Sequence, residues 1–328
     1  MILLFLIFLT ISFNIVYTPV TKVNLDDESI SDAVIYLSMY QGHSLKEIPK
    51  PYRYRILVPY LARLIPTPPS FLMKGFDSSP EKVIKLKFGI LNAIALAFAA
   101  WILFFFCRRL DFNLQLSILG SLLFLCSFYI VNYSGLPLTD ASAFLFLTGC
   151  LYAILANNNW LLGLFFTVGI FAKETIVLAF VYIFFQNKKL SSKLQKFILC
   201  VPGLLSYLCL RFFYLPTNNG YNYTIDRLGI TIASYAHGFA PWFWAAFNFL
   251  LVFGILWFFA WRGLKITLKE KDIKVLELLP ILPVVIVVPF VIGSDLGRIW
   301  FLSYPVIIPM ALKGINYYLI DPRSQLSG

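Results

Sequence analysis

The stretch Trp160-Leu161-Leu162-Gly163-Leu164-Phe165-Phe166-Thr167-Val168-Gly169-Ile170-Phe171-Ala172-Lys173-Glu174-Thr175-Ile176-Val177-Leu178-Ala179-Phe180-Val181-Tyr182-Ile183-Phe184-Phe185-Gln186 decides how this chain folds. It is apolar nearly throughout and long enough for one membrane crossing. Lys173 and Glu174 stand in its middle, and two charges at mid-bilayer are costly. The other reading is two short helices, 160–172 and 175–186, turning at Ala172-Lys173-Glu174-Thr175. Each helix then reaches only about 20 Å. The turn lies below the membrane surface inside a bundle, where surrounding protein makes irregular backbone tolerable.

The rest of the chain also asks for a bilayer. Of 328 residues, 59% are hydrophobic, 18% aromatic and 13% charged, against roughly 25% charged in a soluble domain. This composition excludes a disordered chain, a coiled coil and an ordinary cytosolic enzyme. Runs of spanning character are 1–17, 83–107, 114–131, 141–156, 197–215, 241–261, 275–292 and 299–319. The first lacks a basic leader and a small-residue cleavage site before Tyr17, so it reads as an anchor. The expected fold is an all-α membrane protein of about ten transmembrane helices. It forms one polytopic domain over 1–328, with a long first extracytoplasmic loop, 18–82, bearing a surface helix. No soluble C-terminal domain is expected.

The net charge is +11, from 27 Lys+Arg and 16 Asp+Glu. In a membrane chain this excess reads as topology rather than nucleic-acid binding, because Lys and Arg collect in cytoplasmic loops. With ten spans and both termini inside, the cytoplasmic segments hold Arg108, Arg109, Lys188, Lys189, Lys193, Lys196, Arg262, Lys265, Lys269, Lys271, Lys274, Lys313 and Arg323. Past residue 88 the outer face keeps Lys173, Arg211, Arg227 and Arg298. Lys82, Lys85 and Lys87 fit better with nine spans and the N-terminus outside, but that arrangement puts Arg108 and Arg109 outside. The balance favours ten. The acids of the interhelical turns, Asp140, Glu174, Asp226 and Asp295, then share the outer face with the acids of loop one. The expected location is the plasma membrane, with the site facing outside.

Several constellations on that face carry chemistry. Loop one holds Asp26-Asp27-Glu28, then Asp32 to Tyr36. A carboxylate one helical turn from a tyrosine can be held by it and can take a proton from an incoming hydroxyl. Asp32, Asp27 and Asp26 are therefore the candidate catalytic residues; the alternative is capping of the helix that follows. Pro51-Tyr52-Arg53-Tyr54-Arg55-Ile56-Leu57-Val58-Pro59-Tyr60-Leu61-Ala62-Arg63-Leu64-Ile65 has apolar residues at 56, 57, 60, 61, 64 and 65. That spacing predicts a helix lying on the membrane, with Arg53 and Arg55 at headgroup depth. Guanidinium groups fork onto phosphate oxygens; snorkelling is the plainer reading.

Asp140 ends an outer turn and either binds substrate or caps the next helix with Thr139. Lys173-Glu174, a charged pair at the turn of two short helices, is a functional-site candidate. Arg211 lies near the outer end of its span. His237, in loop 216–240, could protonate a leaving group, although a lone histidine near Trp242 and Trp244 is more often an interface residue. Asp295 and Arg298 lie in Gly293-Ser294-Asp295-Leu296-Gly297-Arg298 between two apolar runs, placed to aim a carboxylate and a guanidinium inward. Cys107, Cys126, Cys150, Cys200 and Cys209 have no CxxC spacing and read as small core residues. With His43 and His237 alone, a histidine metal site is not indicated.

On these motifs the sequence resembles the polytopic GT-C glycosyltransferases, which use polyprenyl-phosphate-linked sugars. The resemblance lies in the acidic first loop (Asp26-Asp27, Asp32 to Tyr36), the Pro51 to Pro59 arginine stretch and the turn ending in Asp140. It also lies in Gly169-Ile170-Phe171-Ala172-Lys173-Glu174, similar to a G-x-x-x-K-E turn, and in the Gly293 to Arg298 turn. It implies a GT-C-like bundle, a lipid-linked sugar donor and an acceptor that is a glycan, lipid or protein. A first-loop aspartate would act as base, with inversion at the sugar, and basic residues would hold the departing phosphate. A divalent cation is not indicated, and no nucleic acid is expected. The rivals are a transporter or flippase using the same charges, which should show internal repeats, and a polymerase or ligase of surface polysaccharide.

Overall fold

The computed structural model describes residues 1–22, 31–67, 80–215, 225–292 and 296–320. The described residues are 82% helical, with no strand among them. In chain order the helices are α1 (Ile2–Lys22), α2 (Ser31–Gln41), α3 (Leu57–Leu64), α4 (Pro80–Arg109), α5 (Leu114–Leu125), α6 (Phe128–Tyr133), α7 (Asp140–Leu155), α8 (Asn159–Gly169) and α9 (Leu178–Phe185). There follow α10 (Leu190–Cys209), α11 (Ile225–His237), α12 (Phe239–Phe253), α13 (Leu256–Glu270), α14 (Ile273–Leu276), α15 (Ile281–Ile292), α16 (Leu296–Trp300) and α17 (Tyr304–Ile320).

Among the described residues five stretches are long and apolar enough to cross a membrane: Ile2–Val20, Pro80–Arg109, Leu190–Tyr214, Ile273–Phe290 and Leu296–Leu319. The α11–α12 pair, bent by 105° between His237 and Phe239, makes a sixth if it counts as one span. The chain is thus an all-α membrane protein. Four further apolar stretches, Leu114–Leu125, Asp140–Leu155, Asn159–Gly169 and Glu174–Phe185, are shorter. At 1.5 Å per residue they fall short of a hydrocarbon core about 30 Å thick.

Contacts divide the chain into two compact units. The first comprises Met1–Ile102, Ile130–Ala179 and Leu194–Asn222; the second comprises Leu103–Tyr129, Phe180–Lys193 and Tyr223–Gly328.

In the first unit the apolar run 160–186 is broken, as its charges require. Helix α8 stops at Gly169, whose carbonyl accepts the N–H groups of Ala172 (2.9 Å) and Lys173 (3.0 Å). Lys173 is extended, and a 3₁₀ turn, Glu174–Val177, leads into α9. The helix therefore ends earlier than the expected 172. Gly169 is a glycine for steric reasons: a Cβ there would lie 2.5 Å from the Cβ of Phe146 on α7. Only glycine lets α8 close on α7 at this point.

The first-loop helices pack onto this break. Helix α2 ends in a Schellman motif, with Gly42 at φ +97° donating to Met39 and His43 donating to Ser38. Arg63 of α3 adds bonds to the Met39 (2.6 Å) and Tyr40 (2.7 Å) carbonyls. Val58 and Ala62 of α3 join Ala33, Tyr36, Leu37 and Met39 of α2 in a core that includes Phe88, Leu136, Leu138 and Ala172. The outward side of α3 is apolar: Tyr60, Leu61 and Leu64 are exposed, Leu64 at 77%. Tyr60, Leu61 and Leu64 of the predicted stripe thus face away from the core, whereas Ile56 and Leu57 pack against it. Arg53 and Arg55 precede α3, in and after a 3₁₀ turn at Tyr52–Tyr54.

Burial changes the reading of several charges. Lys85 and Lys87 are buried, Lys85 against Glu81 (2.6 Å) and Lys87 against the Tyr40 hydroxyl (3.2 Å). Lys196 is buried near the Ile154 carbonyl (3.4 Å) at the C-terminal end of α7. These three are internal groups and weigh little in a count of loop charges. Of the five cysteines, Cys107, Cys150 and Cys200 are buried, but Cys126 and Cys209 are exposed. An apolar run does not reveal which of its faces turns inward.

In the second unit the tightest packing is α13 on α17. A Cβ on Gly263 would lie 1.8 Å from the Met310 carbonyl oxygen, and one on Gly314 would lie 2.1 Å from that of Phe259. Small residues let the two backbones touch, the usual means of helix association in membranes. The expected span 241–261 is interrupted here. Gly254, at φ +50°, ends α12, and Trp257 turns back to stack on Phe249 at 4.2 Å. Its indole N–H donates to the Phe249 carbonyl at 2.6 Å. Mean hydropathy conceals this turn because every residue forming it is apolar.

Gly263→Ala or Gly314→Ala should lower the thermal unfolding midpoint in detergent, since overpacking typically costs about 1–3 kcal/mol. Gly229→Ala on α11, where a Cβ meets nothing within 4 Å, should leave the midpoint unchanged or raise it slightly. Equal midpoints for all three variants would show that the α13–α17 contact is not tight in solution.

Candidate functional site

A polar ring sits over the break, built from three segments distant in sequence. Arg55 makes a two-pronged contact with Glu174: Nε donates to Oε2 at 2.9 Å and Nη2 donates to Oε1. Its Nη1 donates to the Tyr36 hydroxyl at 3.0 Å. That hydroxyl shares a hydrogen bond with Thr139 Oγ1 at 3.4 Å. Asp140, the next residue, is ion-paired with Lys173, and Lys173 precedes Glu174 in the chain. The ring thus closes through Arg55, Tyr36, Thr139, Asp140, Lys173 and Glu174. It binds loop one to the start of α7 and to the turn after α8. A backbone bond from Leu57 N–H to the Phe171 carbonyl, 3.1 Å, ties the start of α3 to the same turn.

Every charge in the ring is answered by an opposite one. Lys173 and Asp140 have side chains only 9% and 10% exposed; for Arg55 and Glu174 the figures are 7% and 29%. A buried ion pair contributes little net stability, but removing one partner strands the other. Burial by itself would lower the Arg55 pKa; the Glu174 carboxylate and the bonds to Glu174 and Tyr36 more than reverse this, so Arg55 is a fixed cation. Burial raises the Tyr36 phenol from its ordinary value, even with Arg55 beside it.

Asp32 lies at the edge of the ring, in the first turn of α2. It is not held by Tyr36, one helical turn on, as the sequence predicted. Its Oδ1 accepts from the Tyr52 hydroxyl at 2.6 Å. The Tyr52 phenol is raised by burial first, then by the bond to Asp32 and that carboxylate's charge, which keeps it a donor. Tyr36 packs edge-on to Tyr52 at 5.8 Å, and the Arg55 guanidinium lies 5.2 Å from the Tyr52 ring centroid.

Two further arginines meet at Tyr54. Arg53, fully buried, lies 5.9 Å from the ring centroid, and Arg211 lies 5.5 Å from it. Arg211 sits on a π-helical turn, Leu210–Tyr214, and the Tyr54 ring it faces packs edge-on to Tyr207 at 5.9 Å. Tyr54 precedes Arg55 in the chain, so this cluster adjoins the ring. A π-helical turn often marks a functional position.

This chain matches no protein-family model, no curated protein and no solved structure. The site must therefore be judged on its own geometry.

Of the sequence candidates, Asp32, Arg53, Arg55, Asp140, Lys173, Glu174 and Arg211 all fall in the first unit and are joined by the contacts above. His237 and Arg298 fall in the second unit: His237 is exposed at the end of α11, and Arg298 is half-buried in α16. Asp26, Asp27 and Asp295 lie outside the described residues. Two expectations are corrected. The Thr139 side chain makes no capping bond to α7, because its hydroxyl faces Tyr36 and the Asp140 carboxylate faces Lys173. Lys173 and Glu174 do not pair with each other; their side chains answer Asp140 and Arg55. Tyr52, Tyr54 and Tyr207 were not singled out. The alternation of tyrosine and arginine over 52–55 was the available signal for the first two. Among the described residues no three His, Cys, Asp or Glu side chains are grouped to hold a metal ion.

A double-mutant cycle on Arg55→Ala and Glu174→Ala, read by thermal unfolding in detergent, should give a coupling energy of about 0.5–3 kcal/mol. A cycle on Asp140 and Lys173 should behave alike. Additive losses in both cycles would mean that the ring does not hold the break together.

Proposed function

We propose that this protein is a membrane glycosyltransferase of the GT-C kind, moving a sugar from a polyprenyl-phosphate donor to an extracytoplasmic acceptor with inversion. The observation that carries the reading is the convergence of four bases, Arg53, Arg55, Lys173 and Arg211, with the Asp32 carboxylate in one unit. Asp32 takes the acceptor's proton. Arg211 receives the donor phosphate: it lies against the rings of Tyr54 and Phe212, and no described carboxylate pairs with it. Arg55 and Lys173, already committed to Glu174 and Asp140, hold the break in place and add positive potential around the leaving group. The reading includes ten membrane crossings in the plasma membrane, with the four short apolar stretches among them and the site on the outer face. The acceptor is a glycan, a lipid or a protein.

The direct test is a screen of polyprenyl-phosphate sugars with purified protein in detergent, scored by released polyprenyl phosphate. A flippase would bind such donors without releasing polyprenyl phosphate, and that outcome would replace the transferase reading. Asp32→Asn should reduce turnover by about 10²–10⁴-fold while donor binding persists. Arg211→Ala should weaken donor binding by about ten- to a hundred-fold, the worth of a hydrogen bond to a charged group. Arg211→Lys should restore binding only in part, because the planar fork is lost.

Topology is checked separately. In a cysteine-free background, single cysteines at 27, 220 and 295 should react with an impermeant reagent from outside, and cysteines at 157 and 188 should not. Protection at 27 with labelling at 157 would establish nine spans instead.

A further inference from the structure

We propose that Tyr52 is the positioning residue of this site, holding the Asp32 carboxylate in the orientation from which it takes the acceptor's proton, with Arg55 holding Tyr52 in turn. The proposal rests on the transferase reading for its catalytic part. Its geometric part stands on contacts alone. A hydroxyl 2.6 Å from a carboxylate oxygen is a charge-assisted bond, about twice as strong as a neutral one. The Tyr36 phenol, one turn along α2 and the natural local partner of Asp32, is taken by Arg55 and Thr139. The orientation of Asp32 is therefore set from another segment, across the gap between α2 and the turn at Tyr52–Tyr54.

Tyr52 is itself held on two sides. The Tyr36 ring meets it edge-on at 79°, and the Arg55 guanidinium lies over its face. Its carbonyl accepts the Arg55 N–H at 2.9 Å, so the backbone of the turn is fixed as well. Arg55 cannot readily leave, because Glu174 and Tyr36 occupy its guanidinium. A side chain so placed does not need to react. In the transfer step the acceptor's O–H proton passes to the Asp32 carboxylate, and the acceptor oxygen bonds to the anomeric carbon. The bond from that carbon to the phosphate oxygen breaks, and its electron pair leaves on the phosphate. Tyr52 keeps its own proton throughout.

The test is Tyr52→Phe, which removes one oxygen and keeps the ring. With the donor identified by the screen, kcat should fall about ten- to a hundred-fold, while the donor KM stays within about two-fold. In an Asp32→Asn background the same change should cost nothing further, because a residue that acts through Asp32 has nothing left to act on. Arg55→Lys keeps the charge facing Glu174 but loses the planar face on Tyr52, and should give an intermediate loss of kcat. A kcat near wild type in Tyr52→Phe, an equal fall with and without Asp32, or a loss expressed wholly in donor KM would each overturn the proposal.

A second measurement needs no turnover. The infrared carboxylate band of Asp32, assigned by subtracting the Asp32→Asn spectrum, should shift in Tyr52→Phe. An unmoved band overturns the Tyr52–Asp32 tie. A shifted band in a protein that transfers no sugar supports the tie and overturns the transferase reading, so the two failures are told apart.

Discussion

The fold of the first unit depends on one constraint: charge inside an apolar helix bundle must be answered locally. Lys173 and Glu174 interrupt an otherwise lipid-like run, and neither can be left alone where water is scarce. The chain answers each from a different direction, Lys173 by Asp140 and Glu174 by Arg55. To deliver Asp140, the turn before α7 must be held, and Asn92 of α4 does this by donating to the Ser134 and Leu136 carbonyls at 3.0 and 2.9 Å. To deliver Arg55, loop one must be folded rather than loose, which explains the compact packing of α2 and α3 and the cap that Arg63 places on α2. The packing of α2, α3 and the turn between them thus answers two charges more than a hundred residues later.

The break, the apolar helices and most of the site candidates were legible in the sequence, because each rests on a local cost. A charged pair in a 27-residue apolar run must interrupt it, whatever the surroundings. Partner choice was not legible. Asp32 and Tyr36 have helical spacing, yet each bonds to a residue of the 52–55 segment, since spacing along one helix says nothing about a third strand of chain approaching from outside. The Gly254 turn was hidden for a related reason: Phe249, Gly254 and Trp257 are all apolar, and hydropathy cannot tell a crossing from a reversal. Burial of Lys85, Lys87 and Lys196 escaped too, because a lysine that covers a carbonyl or pairs with a glutamate looks the same in sequence as one facing water.

The two units differ in where their closest contacts lie. In the second, α13 and α17 meet at glycines, backbone to backbone, and most of α17 is buried. Dispersion at close range holds such a pair, and at one end Lys313 of α17 adds ion pairs to Glu270 of α13 at 3.1 Å and to Asp272 at 2.5 Å. In the first, hydrogen bonds and ion pairs converge over a break in an apolar run. There the cohesion is directional, because each charge in the ring has its own partner.

The outward side of α3 adds a last step. Its buried side carries Val58 and Ala62, and its exposed side carries Tyr60, Leu61 and Leu64. A soluble protein would turn that apolar side inward or replace it; a helix beside lipid has no need to. The start of α3 is fixed to the Phe171 carbonyl, one residue from the break, so its apolar side and the Arg55–Glu174 pair are held at a set distance. A ligand whose tail stays in lipid and whose phosphate seeks guanidinium would meet both features at once. The same eight-residue helix therefore accounts for an exposed leucine that looks like a flaw in packing and for the placement of the arginines that precede it.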